Sequence, residues 1–554
     1  MMIAERTLGL EPIDLGLPVK YHDWRPGQES ALLDVAECDE RFHALAMPTG
    51  WGKSVFYVAS ARMLGLRCCV LTSTKALQDQ LLDDFGPMGM VDVRGRGNYE
   101  CCLGGGYTCD EGRHARCPRQ KSSKCPYRYA YNAACQSDLV VTNYSYWIYQ
   151  NLYGEGLGNF DLLVCDEAHD APEEICSAVA VRFTTKEIYG LLSSEFPKTR
   201  DDMDTCIKWA YPLIKTTEDG IEEANAAMSA SSRPAKKLVR ELADWRNLLG
   251  KLKTVASATG DWAIQDHKYG VSITPLWPSV FAEQVLFRGI PKIFMTSATI
   301  RPKTLELMGV SKKQSSFREY PAIFDPRHSP VFFMKTNRIR VDRNITNGQR
   351  QIWMNWIDWI IRDRLDRKGI VHSVSYKARD YIMEHSEYRE LMVTHTTATA
   401  IPVVKSFMAA EPPLILVSPS VTTGWDFKYD LCRYQILTKC PWPNLGDKVL
   451  ILRMESDPEY AMYIMAQQIV QAFGRANRAE DDFCENFLTD WGFARFASRK
   501  CPQVIRDLFP AGFWNLLSWM DRIPVPPILE EPQPTGASII ERMLNNTADD
   551  DVPF

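Results

Sequence analysis

The chain has 554 residues, enough for three or four domains, and its apolar and charged content is ordinary for a globular protein. A net charge of −5 excludes a molecule basic over its whole surface, so any contact with a polyanion must be local. No apolar run is long enough to span a bilayer, and Met1–Pro12 lacks a basic flank ahead of an apolar core. An intracellular, cytoplasmic protein is expected, whose sixteen cysteines are thiols or metal ligands and not a disulfide framework.

Tyr21–Gln28 reads Tyr-His-Asp-Trp-Arg-Pro-Gly-Gln and opens a helix over Gln28–Ala36. A glutamine pairs bidentately with an adenine edge and a nearby aromatic stacks on the ring; a helix start with a surface glutamine is the plainer reading. His43–Ala46 is a short apolar strand, and Val55–Leu64 reads as a helix. Between them, Thr49-Gly50-Trp51-Gly52-Lys53-Ser54 has the strand–glycine turn–helix context of a phosphate cradle. Gly50 and Gly52 let backbone N–H groups close on phosphates, Lys53 brings a cation to the β- and γ-phosphates, and Ser54 brings a hydroxyl to magnesium. The generic loop has a glycine where Met47 stands.

Cys68–Thr72 is a second strand, followed by Thr72-Ser73-Thr74-Lys75 and a helix, a pattern that suits backbone phosphates or a simple cap. Arg94–Cys135 is the least ordinary stretch. Cysteines at 101, 102, 109, 117, 125 and 135 interleave with arginines, lysines and tyrosines. No Cys-x-x-Cys knuckle occurs, which argues against the usual zinc spacing; evenly separated cysteines suit an iron–sulfur cluster held by four thiolates. Spacing alone does not choose four of the six. The basic and aromatic residues suit a single-strand contact surface.

Asp138–Thr142 and Asp161–Cys165 are further strands, and the second ends in Asp166-Glu167-Ala168-His169. Beside a phosphate loop, Asp166 would hold magnesium, Glu167 would orient and deprotonate the attacking water, and His169 would link the nucleotide site to neighbouring motifs. From Ala171 to about Thr254, helical periodicity predicts a mostly helical insertion. Gly270–Phe281 returns to strand-like text, and Lys292–Met295 is a strand leading into Thr296-Ser297-Ala298-Thr299.

A second strand–helix series starts near Val331, with strands at Gly369–Ser373 and Leu414–Val417, the latter followed by Thr423-Gly424-Trp425-Asp426, and an apolar run at Val449–Met454. Tyr463–Asn477 is a predicted helix. Gln471, Arg475 and Arg478 share one face, a γ-phosphate sensor with arginine fingers delivered in cis; an exposed salt-bridged face is the alternative. Pro524–Pro534 is proline-rich and acidic, and the chain ends in an acidic tail.

Taken in this order, Arg25–Gln28, Thr49–Ser54, Thr72–Lys75, Asp166–His169, Thr296–Thr299, Gly424–Phe427 and Gln471–Arg478 resemble the motifs of superfamily 2 helicases, specifically the iron–sulfur XPD/DinG-like family. Gly95–Cys101, Cys125-Pro126-Tyr127, Val140–Tyr144 and Lys439–Pro443 are similar to further segments of that family. The resemblance implies an α/β fold of two RecA-like motor domains with a cluster insertion and a helical arch in the first. The domains are then 1–93, 137–172 and 266–305 (first motor), 94–136 (cluster), 173–265 (arch), 306–522 (second motor) and 523–554 (tail). It implies a 4Fe–4S cluster on Cys101, Cys109, Cys117 and Cys125, with Cys102 a rival for Cys109, and magnesium on Ser54 and Asp166. ATP would be held by Arg25, Gln28, Thr49, Gly50, Trp51, Gly52, Lys53, Ser54, Gly424 and Asp426, and hydrolysed with Lys53, Asp166, Glu167, Gln471, Arg475 and Arg478. The implied activity is ATP-dependent unwinding of DNA by 5′-to-3′ movement on a single strand, by a monomer acting on single-stranded and forked DNA without a membrane. A translocase or ATP switch in a larger complex, without unwinding of its own, is the alternative, and a zinc module in the cysteine stretch is a third reading.

Overall fold

Two parallel sheets, each covered by helices on both faces, carry the chain's two lobes. The structure, a computed structural model, describes residues 6–115, 117–198, 202–229, 236–336, 338–419, 425, 427–474 and 481–527. In chain order the first lobe starts with β1 (Phe42–Ala46), β2 (Cys68–Thr72), β3 (Met90–Asp92), β4 (Leu139–Asn143) and β5 (Leu162–Asp166). An insertion then contributes β6 (Val181–Thr184), β7 (Trp262–His267) and β8 (Gly270–Pro275), after which β9 (Lys292–Ser297) and β10 (Ser315–Glu319) complete the lobe. Its seven strands, among the described residues, lie in the order β10-β1-β9-β5-β2-β4-β3, and every pairing is parallel.

β1, β2 and β5 are buried along their whole length, as strands covered on both faces must be. Alternate residues serve different cores: Phe42, Ala44 and Ala46 face one, Leu45 the other. The second lobe repeats the plan with β11 (Val331–Met334), β12 (Gly369–His372), β13 (Met392–Thr394), β14 (Ile415–Ser418), β15 (Tyr434–Leu437), β16 (Glu485–Leu488) and β17 (Leu517–Met520). Their order is β13-β14-β12-β15-β16-β11-β17, again all parallel.

The first lobe holds two insertions. Residues between β3 and β4 carry the clustered cysteines. The segment between β5 and β9 carries two long helices, Met203–Ser229 and Lys236–Ala256, packed on each other, where Gly220 leaves room for the Trp245 ring. This insertion also contains an antiparallel sheet, β6-β8-β7, that helical periodicity did not announce. The sheet ties residues 270–275 to the insertion, and β10 ties residues 315–319 to the first lobe, so both elements fall outside the segments expected for them. Val449–Met454 lies in a helix, Lys448–Ser456.

That helix joins the lobes. Arg453, 4 % exposed, donates to Leu276 O at 2.7 Å, to Glu173 Oε2 at 3.0 Å, to Tyr460 OH at 2.7 Å and to Cys176 Sγ at 3.3 Å. Lys303–Asp457 (2.8 Å) and Thr304–Tyr463 (2.6 Å) add two further bonds between lobes.

Candidate nucleotide site and cysteine cluster

The order of the first sheet builds the site. β1, β9 and β5 are neighbours, with Ala46 opposite Ser297 and Asp166 opposite Thr296. The loops leaving their C-terminal ends therefore converge: the glycine turn, Thr296–Thr299 and Asp166–His169. Gly50 and Gly52 take φ of 78° and 85°, which favour glycine, and Lys53 opens the helix Lys53–Met63. A Cβ at Gly50 would stand 2.4 Å from the Phe324 ring, and one at Gly52 would stand 2.5 Å from Gln28 Nε2.

Lys53 Nζ lies 2.9 Å from Glu167 Oε1. Ser297 Oγ donates to Glu167 Oε2 at 3.1 Å, and His169 Nδ1 meets Ser297 Oγ at 2.7 Å. On its far side the imidazole receives a short hydrogen bond from Gln471, on the helix Tyr460–Phe473 of the second lobe. One continuous chain of polar contacts thus runs from the phosphate loop to the second lobe. Glu167 is held at φ 49°, the left-handed region, a conformation that persists only where the surroundings enforce it.

The electrostatics separate the two carboxylates. Burial, then the charge of Glu167, raises Asp166 to about 6. Burial opposes ionisation of Glu167 too, but Lys53, His169 and the Ser297 hydroxyl outweigh it and lower the group to about 2. Thr296 Oγ1 donates to Asp166 Oδ1 at 3.1 Å. Burial disfavours a charged His169, yet Asp170, 3.2 Å from Nε2, raises its pKa.

Some expected residues play other parts. Gln28 is 1 % exposed, and its amide is not presented to a base. Nε2 donates to Trp51 O (3.1 Å) and toward Gly52 O (3.3 Å), while Oε1 accepts from Arg25 N (2.9 Å). It braces the phosphate loop, as does the Arg25 guanidinium, bonded to Gly50 O. Trp51 contributes its backbone to the turn, but its ring is core, packed on Phe56 and Tyr320. Gly424, Asp426, Arg475 and Arg478 lie outside the described residues. Gly474, which precedes Arg475, stands against the loop: a Cβ there would be 3.2 Å from Thr49 Oγ1. Sequence reasoning passed over the connector between lobes, where Tyr320 and Phe324 both touch the glycine turn. Two aromatics in a proline-flanked stretch were the available signal.

Of the six clustered cysteines, Cys101, Cys109, Cys117 and Cys125 are buried, and Cys102 and Cys135 only half-buried. Cys109 and Cys125 face each other with sulfurs 3.9 Å apart, and Cys101 sits beside Cys117. Cys102 bonds to Lys124 O instead (3.3 Å). Arg96 reaches Cys109 Sγ at 3.8 Å while its guanidinium lies over the Tyr127 ring. Among the described residues, no group of three or more His, Cys, Asp or Glu converges closely enough to hold a single metal ion. Two facing thiol pairs with an adjacent guanidinium fit, in kind, the four-thiolate donor set of an iron–sulfur cluster.

Among the described residues, no helix is long and apolar enough to cross a membrane. Residues 367–510 match the family described as a helicase C-terminal domain, and residues 21–192 match the type III restriction enzyme res subunit family. No curated protein matches the sequence. Among solved structures, an XPD helicase shares 14 % identity over 90 % of this chain and 99 % of its own, with a TM-score of 0.63. Xpd4 from S. tokodaii shares 15 % identity over 90 % and 100 %, with a TM-score of 0.57. A further XPD structure, described as apo, shares 14 % over 86 % and 98 %, with a TM-score of 0.56. The two family matches thus fall one on each lobe, and the two-lobed fold is similar to that of the XPD helicase structures.

Proposed function

We propose that the chain is an ATP-dependent DNA helicase that moves 5′-to-3′ along a single strand and parts the duplex ahead of it. The observation that carries this reading is the contact chain Lys53–Glu167–Ser297–His169–Gln471, which connects the phosphate loop of one lobe to the other lobe. Lys53 and the amides around Gly50 and Gly52 bind the triphosphate, and Glu167 orients the attacking water and takes its proton. Ser54 and Asp166 would hold magnesium, which offsets phosphate charge when bound. Arg475 and Arg478, following Gly474 at the rim of the loop, supply guanidiniums to the γ-phosphate as the lobes close.

Cys101, Cys109, Cys117 and Cys125 would hold a 4Fe–4S cluster, which when bound cross-links the insertion covalently. That insertion touches the arch through Arg240–Glu111 (3.4 Å) and Arg246–His114 (3.3 Å), a pairing suited to a wedge. The test is strand displacement on forked DNA by anaerobically purified protein with iron and zinc quantified. Displacement of a fork with a 5′ single-stranded arm, at stoichiometric iron, supports the reading. DNA-stimulated hydrolysis without displacement favours a translocase or switch, and a colourless zinc protein removes the cluster.

A further inference from the structure

The stretch Tyr21–Gln28, just ahead of the phosphate loop, has residue types suited to a purine edge, and the structure spends most of its polar groups on the protein itself. The Gln28 amide has two N–H hydrogens, and both go to the loop, one to Trp51 O at 3.1 Å and one toward Gly52 O at 3.3 Å. Its oxygen accepts from Arg25 N at 2.9 Å. The residue is 1 % exposed, so the remaining lone pair is turned away from any ligand.

Its neighbours are committed in the same way. Tyr21 OH donates to Asp84 Oδ2 at 3.1 Å, while its ring stacks on Phe85 at 5.9 Å. Trp24 Nε1 donates to Leu10 O at 2.6 Å, and the Arg25 guanidinium is bonded to Gly50 O. Glu29, in the helix Gln28–Glu37, accepts from Leu8 N at 2.8 Å. His22 and Asp23 pair with each other at 3.4 Å, and their side chains are 79 % and 85 % exposed. A hydrogen bond offered from such open positions competes with water and selects weakly.

Choosing adenine takes a donor aimed at N7 and an acceptor aimed at the 6-amino group, since guanine shows two acceptors on that edge. Gln28 has no N–H left for N7. What the segment still offers a base is the half-buried ring of Trp24, and an aromatic face accepts any base. A site built to pair with a polar group of its substrate rejects an analogue lacking that group by about 10⁴-fold, because its own buried donor is then left unpaired. No buried donor of this segment waits for an adenine, so a guanine or a pyrimidine leaves none unpaired and meets no such penalty.

We infer that the site takes nucleoside triphosphates as a class, selecting the triphosphate and not the base, with Gln28 a positioning residue for the glycine turn. The inference rests on the nucleotide-hydrolysing reading above and widens its substrate. The bonds to Trp51 O and Gly52 O brace the turn proposed to cradle the phosphates. The fit is close: a Cβ at Gly52 would stand 2.5 Å from Gln28 Nε2. Recognition concentrated on that turn is the same whichever base the phosphates carry.

The test uses the full chain with saturating oligothymidylate and compares the magnesium salts of ATP, GTP, CTP and UTP. The kcat/KM of the other three should lie within about fivefold of that for ATP. Magnesium tripolyphosphate should compete with ATP, and adenosine at the same concentration should not. Gln28→Ala should raise KM about tenfold for all four nucleotides with kcat little changed, leaving the ratio of ATP to GTP as in the wild type. The wild-type panel decides the matter if that variant does not fold. ATP favoured by about a hundredfold, inhibition by adenosine and not by tripolyphosphate, or a Gln28→Ala variant that loses ATP turnover while keeping that of GTP overturns the inference and leaves the helicase reading standing. Turnover of none of the four overturns both.

Discussion

Gln471 of the second lobe donates its side-chain amide to the imidazole of His169 in the first, and that imidazole is already bonded to Ser297. Because Ser297 in turn bonds Glu167, the carboxylate proposed to orient the attacking water is three hydrogen bonds from a side chain of the other lobe. Gln471→Ala should therefore uncouple hydrolysis from movement: ATP turnover persists, while its stimulation by single-stranded DNA falls. A double-mutant cycle with His169→Ala should return a coupling of about 1 kcal/mol in the stimulated rate. Additive losses would remove the link.

Glu167→Gln keeps the shape of the side chain but removes the base. Nucleotide binding should survive, and turnover should drop by roughly a hundredfold or more in a single-turnover assay. Full turnover in this variant would mean that another group orients the water.

Gly50→Ala should be far more damaging than a methyl usually is. The position needs φ of 78°, and the added Cβ would meet the Phe324 ring at 2.4 Å. Loss of ATP binding is expected, measured by fluorescent-nucleotide titration. Phe324→Ala in the same chain should recover part of it, because the clash is removed while the backbone strain stays.

His43 gives the first lobe a dependence on pH. Burial, then the charge of Lys292, lowers its pKa from 6.5 to about 4, so the folded ring stays neutral. The unfolded chain binds the proton first on acidification. The stabilisation is complete above about pH 6.5, is lost as pH falls toward about 4, and amounts to about 3 kcal/mol in all. His43→Gln should flatten the pH dependence of the thermal midpoint across that window; an unchanged slope would place the acid sensitivity elsewhere.

The layout of the loop was legible because its residues are local signals: a strand, a glycine turn and Lys53-Ser54 opening a helix need no partner to be read, and Asp166–His169 follows a strand buried from end to end. Side-chain direction was not legible. Gln28 carries the functional groups to read adenine, and only the fold shows that its amide is committed to Trp51 and Gly52. The antiparallel sheet in the insertion escaped for a related reason. β6 has four residues, and it pairs with β8 across two long helices, a separation no local window can span. Asp490 illustrates the same limit: in sequence it is one acid after a strand, while in space three loops hang from it.

The arginine at position 453 sets a boundary condition on how such a machine can stroke. Its guanidinium is sunk into the root of the arch from the opposite side of the cleft, so the second lobe cannot swing without either tearing out that anchor or taking the arch along. Tearing it out strands the Leu276 carbonyl, at about 1–3 kcal/mol if that group is left unsatisfied. The insertion is thus geared to the lobe that does not encode it, so a displacement of either one is felt by the other.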